Sequence, residues 1–65
     1  MLKYVERSFY NEWVSFEYKR KTYTRDLTDV IDNGKQCFGY FEFNNKKYQL
    51  VIFVNPYDVH ILELI

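Results

Sequence analysis

Apolar and polar positions alternate along most of this chain. Trp13 to Tyr18, Cys37 to Phe43, Tyr48 to Asn55 and Val59 to Ile65 each read as a strand. Residues 2–9 read as a further strand, followed by a turn near Asn11-Glu12. Asn55-Pro56-Tyr57-Asp58 reads as another turn, with Pro56 fixing φ. Within Leu50 to Val54 both faces are apolar, as in a central strand covered on both sides.

Phe16-Glu17-Tyr18-Lys19-Arg20-Lys21-Thr22-Tyr23 is echoed by Phe41-Glu42-Phe43-Asn44-Asn45-Lys46-Lys47-Tyr48. Two β-hairpins explain the echo. Asn44-Asn45 suits a two-residue loop, because Asn tolerates the left-handed conformation that a type I′ turn requires. That loop pairs Phe43 with Lys46, Glu42 with Lys47 and Phe41 with Tyr48. The first hairpin turns by analogy at Lys19-Arg20 and pairs Phe16 with Tyr23. Lys-Arg is weaker turn chemistry and leaves room for a longer loop.

Between the hairpins the spacing predicts a short helix. Asp26 stands at an N-cap position, Leu27, Val30 and Ile31 fall at i, i+3 and i+4, and Gly34 supplies a left-handed C′ residue. The expected fold is therefore α+β. It consists of an antiparallel sheet of about five strands, curved or barrel-like, with one short helix, in the order ββ-α-βββ. The helix covers one side of the Leu50–Val54 strand, and the other side calls for a second layer or another molecule.

Composition sharpens this picture. The 65 residues form one domain and contain seven Tyr, six Phe and one Trp but no Ala, which favours sheet over helix. Such short chains bury little surface and commonly need a disulfide, a metal or a partner. Cys37 is the only cysteine, so no intrachain disulfide forms, and a lone thiol fits a cytoplasmic setting. The start at Met1 leads into polar sequence with no leader, and no apolar run approaches a membrane span. The Ala-free composition, rich in Lys, Asn, Tyr, Phe and Ile, matches an AT-rich coding sequence such as that of a low-GC bacterium or its phage.

No complete catalytic or metal motif is present. Cys37 with His60 would need an orienting third group to act as nucleophile and base. Asp26, Asp29 and Asp32 lack calcium-loop spacing and are better read as helix-capping acids or an acidic patch. No cofactor is implied. Net charge is zero, nine basic against nine acidic residues, which argues against a dedicated nucleic-acid binder.

The aromatic surplus exceeds what so small an interior holds, and Tyr, Trp and Arg dominate protein-binding hot spots. The expected function is a non-enzymatic protein-binding module, a phage or mobile-element accessory protein that blocks or modulates a host protein sterically. Its expected anchors are Trp13, Tyr18, Tyr23 and Tyr40, with Arg20, Arg25 and Asp29 on the rim. The alternative is a nucleic-acid platform using Lys19, Arg20, Lys21, Lys46 and Lys47 beside Tyr18, Tyr23 and Tyr48. Homodimerisation is expected through Leu50–Val54 and the apolar C-terminal strand. The order hairpin, short helix, hairpin resembles small phage-encoded inhibitors of host enzymes, including the uracil-DNA glycosylase inhibitors. That resemblance implies binding rather than catalysis, although this chain is neutral where those DNA mimics are acidic.

Overall fold

Both hairpins form in the expected register and face each other across the core. The computed structural model describes residues 1–64; Ile65, the end of the expected last strand, lies outside the described residues. The strands are β1 (Lys3–Arg7), β2 (Trp13–Tyr18), β3 (Lys21–Asp26), β4 (Thr28–Asp32), β5 (Gln36–Phe43), β6 (Lys46–Val54) and β7 (Tyr57–Leu64). They make a three-stranded sheet, β1-β2-β3, and a four-stranded sheet, β4-β5-β6-β7, with every pairing antiparallel. Among the described residues the architecture is all-β, seven strands in two sheets, in place of the expected α+β fold of about five strands in one sheet with a helix.

Phe16 pairs with Tyr23, and Phe41 with Tyr48. Both two-residue loops take positive φ throughout: 49° and 69° at Lys19 and Arg20, 54° and 62° at Asn44 and Asn45. These are the values a type I′ turn demands, so Lys19 and Arg20 accept a conformation that disfavours them in order to match the strand twist. Equivalent residues of the echo then meet. Phe16 stacks on Phe41 at 5.1 Å between ring centroids, and Tyr18 meets Phe43 edge-on at 5.2 Å. Tyr23 stacks on the far side of Phe16 and Tyr48 on that of Phe41, giving a run of four rings through the interior. Val14, Leu50, Ile52 and Cys37 complete the buried core, with Leu2 from the N-terminus. The second layer required by Leu50–Val54 is thus the three-stranded sheet, and it covers the Leu50 and Ile52 side.

The expected helix does not form. Asp26 ends β3 opposite Trp13, and the chain crosses to the other sheet at Leu27, whose N–H donates to the Glu12 carbonyl at 2.8 Å. Leu27 packs over Gly39, where an added Cβ would lie 3.3 Å from a Leu27 methyl. Thr28, Ile31 and Asp32 pair with Tyr40, Phe38 and Cys37. Two helical turns cannot stand alone in water, whereas the open edge of β5 offers backbone partners and Thr28, Val30 and Ile31 favour extended structure. Asp29, at φ 52°, lies where one extra residue of β4 bulges between Thr28 and Ile31. Gly34 does take the left-handed conformation, at φ 85°, but in the β4–β5 turn. There the carboxylate of Asp32 accepts from the Gly34 N–H, and the Asn33 side chain from Lys35 and Gln36, rather than Asp26 capping a helix. With no helix among the described residues, the resemblance in element order to the phage inhibitors lapses.

Candidate functional site

Strand alternation gives each sheet an inner and an outer face, and the two outer faces differ in chemistry. The outer face of β1-β2-β3 carries Lys3, Glu6, Ser15, Glu17, Thr22, Thr24 and Asp26, with Trp13 at one end. It is a polar surface, and the Ser15 and Thr24 hydroxyls bond across the strands at 2.7 Å.

The outer face of the four-stranded sheet is built otherwise. One cross-strand row reads Ile31, Phe38, Val51, His60, and the next reads Thr28, Tyr40, Gln49, Leu62. Phe53 stands between Gln36 and Asp58. Ile31 is 60% and Leu62 47% exposed, while Val51 is buried between its larger neighbours. Polar groups on this face are held in place. Gln49 donates to the Tyr40 hydroxyl at 3.2 Å, and Lys47 Nζ lies 5.3 Å from the centre of the Tyr40 ring. His60 contacts Asp58 at 2.8 Å and meets the Phe53 ring edge-on. With strands about 4.8 Å apart and a rise of about 3.3 Å per residue, the face covers on the order of 400 Å².

The anchors expected from residue type do not form one patch. Trp13 lies on the polar outer face, and Tyr40 on the apolar one. Tyr18 and Tyr23 are half-buried against Phe43 and Phe16, and Arg25 lies over the rings of Tyr23 and Phe43. Arg20 stands at the tip of the first hairpin, and Asp29 in the exposed bulge of β4. Phe38, Phe53, Ile31 and Leu62 are not among the expected anchors, although strand alternation sets Phe38 and Phe53 opposite the core positions. Phe9 and Tyr10, 86% and 77% exposed, form a separate aromatic pair in the β1–β2 loop.

The basic residues do converge. Tyr18 beside one turn touches Phe43 beside the other, so Lys19, Arg20, Lys21, Lys46 and Lys47 gather at one end of the molecule. Glu12, Asp26, Asp32 and Asp58 lie toward the opposite end. Several of the cations have intramolecular partners: Lys46 pairs with Glu63 at 3.7 Å, and Lys19 lies over Tyr18. Tyr48 is buried.

Cys37 and His60 lie on opposite faces of the same sheet, so the thiol and the imidazole do not meet. Burial raises the Cys37 thiol above its ordinary value, with a further push from the Asp32 carboxylate and a smaller opposing pull from Arg7. A thiol held protonated in the core is inert rather than nucleophilic. Among the described residues, no group of three or more His, Cys, Asp or Glu side chains could hold a metal ion, and no helix is long and apolar enough to cross a membrane.

Comparison with known proteins adds no family. The chain matches no protein-family model, no curated protein and no solved structure.

Proposed function

We propose that this chain is a non-enzymatic protein-binding module whose working surface is the outer face of the four-stranded sheet. The observation that carries this reading is the contrast between the two outer faces of one small sandwich. One is polar throughout its centre; the other presents Ile31 and Leu62 exposed and Phe38, Tyr40 and Phe53 half-buried. Strands constrain side chains on a flat platform, so a partner meets pre-ordered aromatic and aliphatic groups at low entropic cost. The rim of Glu42, Lys47, Asp58 and His60 supplies orientation, and blocking is steric.

The experiment is quantitative affinity capture with three versions of the chain: wild type, Leu62→Lys on the apolar face and Thr22→Lys on the polar face. A protein retained by wild type and Thr22→Lys but lost by Leu62→Lys supports the reading. A partner lost equally with Thr22→Lys, or held equally by all three, overturns it.

Nucleic-acid binding has one observation in its favour, the gathering of the basic turns at one end. It requires affinity for single-stranded DNA or RNA that falls steeply with salt and is lost in Arg20→Glu/Lys21→Glu.

A further inference from the structure

We infer that β7 pairs antiparallel with β7 of a second copy of this chain, joining two four-stranded sheets into one eight-stranded sheet. Four strands stand at sheet edges, and three of them carry features that discourage pairing. β1 is five residues long, interrupted by a register shift, and carries Lys3, Glu6 and Arg7. β3 carries Lys21, Arg25 and Asp26. β4 is bulged, has Asp29 at positive φ, and ends in Asp32. β7 carries two carboxylates, Asp58 and Glu63, but no bulge and no positive-φ residue. It is eight residues long, holds an unbroken register with β6, and contains no Lys, Arg, Pro or Gly.

The free backbone groups of β7 can be named. Val54 N–H donates to the Lys35 carbonyl, so alternate residues of β6 direct their groups to β5 and the intervening ones to β7. Through the pairing of Val51 with His60, the groups of Asp58, His60, Leu62 and Leu64 face β6. Those of Val59, Ile61 and Glu63 face away from it. Val59 N–H is taken up by its neighbour's carboxylate, Asp58 Oδ1, at 3.0 Å, as expected for a group with no strand beside it. Among the described residues, no strand pairs with this edge.

Self-complementarity selects a second copy as the occupant. A twofold axis perpendicular to the sheet keeps outer face with outer face, so identical strands pair about a residue rather than about a bond. Centred on Ile61, the pairing sets Ile61 against its own copy, Val59 against Glu63, and His60 against Leu62. No like charges oppose each other, and about six backbone hydrogen bonds form, two of them by drawing the Val59 N–H away from the Asp58 carboxylate. A recess of about 380 Å³ is lined by Met1, Leu2, Tyr48, Ile61, Leu62 and Glu63. Self-pairing goes beyond the partner-recognition reading and does not depend on it. Where both hold, the apolar face doubles to roughly 800 Å², the area one partner contributes to a standard interface.

The test joins sedimentation equilibrium with amide hydrogen exchange by NMR, on the full chain from about 1 µM to about 1 mM. The expected result is a monomer–dimer equilibrium in which the Ile61 and Glu63 amides gain protection as concentration rises. His60 and Leu62, already bonded to β6, stay protected throughout. Glu63→Pro removes an N–H that the monomer does not use, together with the exposed Lys46–Glu63 ion pair, and should weaken dimerisation about tenfold while leaving the shift dispersion of a folded chain; Glu63→Gln, which loses the ion pair alone, should dimerise as wild type. A monomer at all concentrations overturns the inference. So does a dimer whose Ile61 and Glu63 amides exchange as fast as in the monomer, or protection that appears only on adding another protein.

Discussion

Truncating Phe16 and truncating Phe38 should differ sharply in cost, although both residues are aromatic and both stand in central positions of a strand. Phe16 is fully buried, stacked on Phe41 and in edge contact with Phe43 at 4.9 Å. Burying a phenylalanine and leaving a cavity in its place costs about 3–5 kcal/mol on truncation to Ala. A chain of 65 residues has about 3–10 kcal/mol in all, at roughly 0.05–0.15 kcal/mol per residue. Phe16→Ala therefore removes most of the stability, and Phe16→Leu, which refills much of the volume, roughly 1–2 kcal/mol. Phe38 lies on the open face, opposite Ile31 and Val51. Its truncation loses two cross-strand contacts of about 0.2–1 kcal/mol each. Urea unfolding followed by Trp13 fluorescence measures both, with an unchanged m-value confirming that the midpoint shift reports stability. Equal losses for the two Ala variants, or a larger loss for Phe38→Ala than for Phe16→Ala, would refute the assignment of inner and outer faces.

Asp29 separates strand from helix directly: Asp29→Ala should destabilise by about 0.5–1 kcal/mol and Asp29→Gly should stabilise, because φ is positive there, whereas in a helix Ala would be the better residue. Replacing Lys19-Arg20 by Asn-Gly should raise stability by about 1 kcal/mol and leave the register intact, read from the urea midpoint and cross-strand NOEs. Cys37 and Tyr4 should make the fold alkali-sensitive. Burial raises both groups above their ordinary values of 9.0 and 10.0, with the Tyr57 hydroxyl adding to the shift at Tyr4. The unfolded chain then loses these protons first, so their contribution is fully present below about pH 9 and declines as pH rises through the folded values. Urea midpoints at pH 7 and pH 10 check this, and the slope should lessen in Cys37→Ala. A thiol reagent at neutral pH should label Cys37 only at the rate of unfolding.

The hairpins were legible because turn and periodicity agree: Asn44-Asn45 fixes a two-residue loop, and one loop length fixes every pair from Phe43–Lys46 to Phe41–Tyr48. The segment from Asp26 to Gly34 misled for a definable reason. A bulge inserts one residue into the period-two alternation, so Leu27, Val30 and Ile31 acquire a helical spacing while the chain stays extended. The need for a second layer was readable from Leu50–Val54, but which face it would cover depends on how β1-β2-β3 docks. Tyr18 and Tyr23 were chosen by residue type. Alternation already set Tyr18 on the side of Val14 and Phe16, and cross-strand pairing set Tyr23 there too, which is why both lean on the core.

The outer face of β4-β5-β6-β7 is the surface proposed to meet another molecule. Photo-crosslinking tests it most directly, with a benzophenone side chain placed in turn at Phe38, at Phe53 and at Trp13 in cells expressing the full chain. A discrete protein adduct formed from Phe38 and Phe53 but not from Trp13 is the expected result. Adducts formed only from Trp13, or from none of the three positions, would contradict it.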